Sequence, residues 1–186
     1  MKPFSRCIAI AIGLLTPALP VHAAQSLPAP LQVGSVFPAF SGRTVTNRPL
    51  TLPGSSMEKP TVLVFSFSRT AGKDARLWNE HLAKDFSDNV SAYGVIQLES
   101  EPKIFRRLAI SGIKSSMPVS DQNRTIVLYR DEHLWRQRLA VKDESRAYVV
   151  LLDRSGIICW MNSGAFSDNT CGMLKAKLAA LLQSHP

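Results

Sequence analysis

The sequence predicts an α/β domain: a central mixed sheet flanked by helices, closing with a β-hairpin and a last helix. Two near-continuous apolar runs, residues 60–67 (PTVLVFSF) and 147–152 (AYVVLL), have the length of strands buried on both faces. Between them the apolar residues switch to helical spacing. Strand and helix alternate along most of the chain, an order that builds a sheet covered by helices.

Each element has its own signal. Residues 60–67 predict the central strand. Residues 70–86 predict a helix with Ala71, Ala75, Trp78, Leu82 and Phe86 on one stripe and Lys73, Asp74, Arg76, Glu80 and Lys84 elsewhere. Residues 90–98 predict a second strand. Ser100 and Pro102 open a helix whose apolar face is Ile104, Phe105, Leu108 and Ile113. Residues 125–129 predict a strand and 132–141 a short helix. After the strand at 147–152, Asp153-Arg154-Ser155-Gly156 is a turn and residues 157–161 return antiparallel. Asp168, Asn169 or Thr170 is the expected cap of the last helix, which turns Leu174, Leu178 and Leu181 inward.

The chain has 186 residues, 45% of them hydrophobic, which suits one domain plus a targeting segment. Its net charge of +8 favours anionic partners. The cations are dispersed, with short clusters at Arg106-Arg107 and Arg136/Arg138, and no nucleic-acid motif accompanies them. A nucleic-acid partner is set aside.

Residues 1–24 read as a secretory signal. Lys2 and Arg6 precede an apolar run, Pro17 and Pro20 break it, and Val21-His22-Ala23 fits cleavage after Ala23. The expected compartment is the bacterial periplasm. A mitochondrial presequence is the alternative, opposed by a run too continuous for an amphipathic Arg/Ser-rich helix. Residues 25–35 are expected to be an extended linker, and residues 36–186 the domain.

A family resemblance rests on specific residues. Val33-Gly34-Ser35-Val36-Phe37-Pro38-Ala39-Phe40, Gly42, Leu50-Thr51-Leu52 and the strand at 62–67 resemble the opening of peroxiredoxin-like thioredoxin folds. Residues 147–153, Gly156, Trp160 and Ser163-Gly164 resemble the mitochondrial ATP synthase assembly factors of the "ATP-ten" kind, with looser similarity at 67–78 and 125–130. The resemblance spans about residues 33–175. It implies a thioredoxin-like fold without redox cysteines. It also implies a role in assembling the membrane sector of ATP synthase, by helping subunit a meet the proteolipid ring.

In thioredoxin folds the reactive cysteine sits after the first central strand, where a helix N-terminus stabilises its thiolate. Here that loop reads Ser68-Arg69-Thr70-Ala71-Gly72-Lys73-Asp74 and holds no cysteine. Set against Cys-x-x-x-Cys relatives, Thr70 and Asp74 take the two cysteine positions. A threonine hydroxyl cannot perform thiol exchange, so Thr70 is expected to cap the helix. Arg69, Thr70 and Lys73 are the candidate residues for binding a partner or an anion; the bland alternative is solvated surface cations. No proline precedes the strand at 148–152, where the fold's redox members carry a cis-proline.

Cys159 and Cys171 remain once Cys7 leaves with the signal. An even pair in an oxidising compartment predicts a structural disulfide. Inert buried thiols and a reactive Cys171 at its helix N-terminus are the alternatives. His81, His133 and His185 lack metal-ligand spacing, and no glycine-rich phosphate loop or nucleophile elbow is present, so neither metal nor cofactor is expected. Trp135 and Trp160 read as core or rim rather than ligand platforms. The expected function is an exported, non-enzymatic binding module with a protein client, membrane-associated in the ATP synthase case. The rival is a thiol-disulfide or peroxide-active enzyme using Cys159 and Cys171, and a small-anion binder is a third reading.

Overall fold

The computed structural model describes residues 29–54, 57–86 and 89–183. The predicted signal and the first residues of the predicted linker lie outside the described residues. In chain order the elements are β1 (Phe40–Thr44), β2 (Pro49–Leu52), β3 (Thr61–Ser66), α1 (Arg69–Phe86), β4 (Ser91–Gln97), α2 (Arg106–Ser115), α3 (Val119–Gln122), β5 (Thr125–Leu128), α4 (Glu132–Arg138), β6 (Tyr148–Leu152), β7 (Ile158–Ser163) and α5 (Asp168–Gln183). They form one seven-stranded sheet in the order β2-β1-β5-β4-β3-β6-β7. β3, β4 and β5 are parallel; β6 joins β3, β1 joins β5, and the β1–β2 and β6–β7 pairs form, all antiparallel.

β3 is buried along its whole length because both its faces are covered. Val62 and Val64 face the α1 and α5 side with Trp78, Leu82, Leu174 and Leu178. Leu63 and Phe65 face the opposite core with Phe37, Trp135 and Ile158. The period-two alternation of the strand thus feeds two cores. The turn after β6 forms as its residues require: Gly156 takes φ +78°, and Asp153 Oδ1 accepts from Ser155 N at 2.8 Å and Ile157 N at 2.9 Å.

Four expectations need correction. The N-terminal hairpin β1–β2 adds an antiparallel edge that residue periodicity did not reveal. Residues 31–35, read as linker, are docked: Leu31 N donates to Arg138 O, Gly34 N to Ile158 O, and Ile158 N to Ser35 O. This segment covers part of the edge of β7, the last strand of the sheet among the described residues. Helix α2 has no fully buried residue. Its inner side is Ala109, Ile110 and Ile113, packed near Val45, Leu98 and Val127, whereas Ile104, Phe105 and Leu108 point to solvent. The sequence carries two apolar stripes there, and the sheet takes only one. Finally, Ser167 rather than a later residue caps α5: its Oγ accepts from Thr170 N at 3.2 Å, and Thr170 Oγ1 accepts from Ser167 N at 3.2 Å.

Candidate functional site

Parallel strands β3 and β4 end beside the N-terminus of α1, the position where a nucleophile would sit in this topology. Ser68 caps α1. Its Oγ accepts from Ala71 N at 3.1 Å and donates to Glu144 O at 2.6 Å. Thr70, expected as the cap, lies inside the first turn because the helix begins one residue earlier, at Arg69. Arg69, Thr70 and Lys73 share that turn. All three are exposed, and none makes a side-chain hydrogen bond or ion pair with the described residues. The first turn holds no acidic residue.

Asp74 does a different job. Its Oδ2 accepts from Ala147 N at 2.9 Å, and its Oδ1 accepts from Phe166 N at 2.7 Å. One carboxylate therefore ties α1 to the start of β6 and to the approach to α5. Asp74 is a fixed acceptor of two backbone donors. The segment Glu144-Ser145-Arg146-Ala147 before β6 contains no cis bond; among the described residues the cis peptide is Leu52–Pro53.

Around the same rim runs a polar network that sequence reasoning missed. Glu132, on α4, is buried at 7% exposure. Its Oε2 accepts from Ser100 Oγ at 2.6 Å and Ser100 N at 3.2 Å, and its Oε1 accepts from Arg136 Nη2 at 2.6 Å and Nε at 2.9 Å. Arg136 Nη1 reaches Glu144, and its guanidinium lies 5.1 Å from the centre of the Phe67 ring. Glu99 closes the other side by accepting from Glu132 N at 2.7 Å. The i, i+4 spacing of Glu132 and Arg136 was the available signal; their burial was not readable. Desolvation pushes the Glu132 carboxyl up, but hydrogen bonds from Ser100 and Arg136 outweigh it and leave the group below the ordinary 4.5.

The folded Glu132 carboxyl titrates below its unfolded value, so its stabilisation is complete above about pH 4.5 and is lost as pH falls through the lower folded value. Wild type should lose stability on acidification through that window, and Glu132→Gln should flatten the loss while costing about 1–3 kcal/mol at neutral pH. Urea melts of both proteins across the acid range check it; equal acid slopes would contradict it.

Cys159 and Cys171 are both free, so the expected disulfide is not formed in the structure. Cys159 is the extra residue of a β-bulge, unpaired where the register shifts between Leu151 and Leu152. Its charged neighbour on α5 is Lys177, whereas Cys171 lies among Lys175, Asp85 and Asp168. Burial pushes both thiols above their ordinary value, with Asp153 adding to the effect at Cys159. Neither cysteine stands at the end of α1 where Arg69, Thr70 and Lys73 lie.

Comparisons with known proteins agree with this architecture. The thioredoxin domain of a thiol-disulfide oxidoreductase from Bacteroides vulgatus is similar with a TM-score of 0.57 and 17% identity, covering 80% of this chain and 99% of that one. A peroxiredoxin-like protein from Aquifex aeolicus gives 0.55 and 12%, covering 81% and 90%. The exposed lipoprotein thioredoxin of Streptococcus pneumoniae gives 0.54 and 16%, covering 75% and 98%. At these identities the likeness shows a shared thioredoxin-like fold and nothing of activity. Among curated proteins none matches the sequence. The profile of the ATP10 protein family matches residues 32–181, most of the chain and nearly all of the described domain. The chain belongs to the ATP10 protein family.

Proposed function

We propose that this is an exported, non-catalytic member of its family that binds a protein client during assembly of the membrane sector of ATP synthase. Family membership supports the ATP synthase setting. The observation that carries the non-catalytic part is Asp74: at a position where thiol chemistry needs a cysteine, its two oxygens hold Ala147 N and Phe166 N. With Ser68 and the Glu132 network it fixes the rim, so the turn that carries Arg69, Thr70 and Lys73 has a fixed backbone. These exposed groups favour an acidic or carbonyl-rich client segment, since cations at a helix N-terminus reinforce its positive end. The oxidoreductase reading is weakened by thiols that burial disfavours as thiolates.

Cross-linking of the protein in its native envelope, followed by purification and N-terminal sequencing, tests the whole reading. The purified chain is expected to begin near Ala24 and to carry cross-links to subunit a. Arg69→Glu/Lys73→Glu should weaken capture about tenfold, the equivalent of about 1.4 kcal/mol. A cytosolic chain retaining Lys2 and Arg6, or capture indifferent to both reversals, would overturn it.

A further inference from the structure

Helix α2 leaves its outer stripe without a partner in the described structure. Ile104 is 80% exposed, Leu108 72% and Phe105 52%. The turn before the helix continues its phase: Phe105 N donates to Pro102 O, and Ala109 N donates to Phe105 O, both at 2.9 Å. At 100° per residue, Ile104, Phe105 and Leu108 fall on the outward side, opposite Ala109, Ile110 and Ile113, which pack on the sheet.

Charge is equally one-sided. From residue 102 to residue 120 there is no acidic side chain, while Lys103, Arg106, Arg107 and Lys114 lie within it. Lys103, Arg107 and Lys114 share one flank of the apolar stripe by spacing. Arg106 is committed elsewhere, with Nε on Glu101 O, Nη2 on Glu99 O and its guanidinium 5.2 Å from the Tyr129 ring centre. It pins the helix to the domain. The acidic groups bordering this stretch in sequence are Glu101 before it and Asp121 after it.

We infer that this face of α2 docks on an anionic phospholipid bilayer, with Ile104, Phe105 and Leu108 entering the interface and Lys103, Arg107 and Lys114 at headgroup level. Bulky apolar side chains flanked by cations on one surface helix are what interfacial binding requires. A peptide-binding surface would offer a groove. Two cavities among the described residues lie away from this face, one beside Asn79 and Arg124 and the other beside Leu31 and Met161. The inference concerns a surface distinct from Arg69, Thr70 and Lys73 and stands whether or not the client reading holds.

The test is Phe105→Trp in the full chain, mixed with phosphatidylglycerol–phosphatidylcholine vesicles carrying brominated acyl chains. The native Trp78, Trp135 and Trp160 are buried at 0, 2 and 8% exposure, so the new indole reports on the patch alone. Quenching of about a quarter of the emission, the share of one indole in four, is expected with anionic vesicles and not with phosphatidylcholine alone. Lys103→Glu/Arg107→Glu in the same background should raise the lipid concentration for half-quenching at least about tenfold. Leu108→Ser should reduce quenching with an unchanged melting temperature, which separates docking from folding. No added quenching, or equal quenching by neutral vesicles, would overturn the inference. So would a shift in the new emission produced by a protein partner and not by lipid.

Discussion

Trp135→Ala is expected to destabilise the domain by about 3–5 kcal/mol, a large share of the about 5–15 kcal/mol that holds a domain folded. Trp135 is 2% exposed on α4 and is the hub of an aromatic cluster. Its ring lies 5.7 Å from that of Phe37, 5.1 Å from Phe40 and 5.3 Å from Phe65, and the Arg138 guanidinium lies 5.2 Å from its centre. Phe37 and Phe40 belong to the N-terminal segment and β1, and Phe65 to the central strand. Truncation therefore opens a cavity between three separate parts of the chain, where collapse is difficult. Trp135→Phe should cost clearly less because it keeps an aromatic ring in the cluster. Denaturant melts measure both; a loss under about 1 kcal/mol for the alanine variant would show that the cluster is not what joins the N-terminal segment to the sheet.

Asp74→Ala is expected to cost about 2–4 kcal/mol, because two backbone donors lose a charged acceptor together. The effect should be directional. Hydrogen exchange should accelerate at Ala147 N and Phe166 N before it does elsewhere, since those are the two groups released. Asp74→Asn keeps one acceptor oxygen but turns an amide N–H₂ toward the other donor, so it should fall between wild type and alanine. Unchanged exchange at both amides would mean that the rim is held by Ser68 and the Glu132 network without Asp74.

Much of the architecture was legible because burial writes itself into composition. Residues 60–67 and 147–152 are near-continuously apolar, and that marks β3 and β6 as strands with a neighbour on each side and cover on both faces. The α1 stripe of Ala71, Ala75, Trp78 and Leu82 was readable for the same reason. Failures came where two local signals compete. Ile104 and Leu108 obey helical spacing as well as Ala109 and Ile113 do, and only the position of the sheet decides which pair is inside. Ser68 lost to Thr70 as the expected cap because both can accept from a helix N–H, and the true start depends on where β3 ends. The disulfide expectation assumed adjacency of strand and helix, which is correct, but Cys159 sits in a bulge of β7 and both thiols are free. Asp74 was visible as an aligned position and not as an acceptor, because its partners are 73 and 92 residues away.

We propose that this protein acts by binding, through a rim fixed by the hydrogen bonds of Ser68 and Asp74. The most direct measurement is the amount of assembled ATP synthase in cells whose only copy of the protein is Cys159→Ser/Cys171→Ser. Assembly equal to that supported by wild type is the predicted result. Loss of assembly by a variant that still melts like wild type would show that a thiol does the work and that binding alone is not enough.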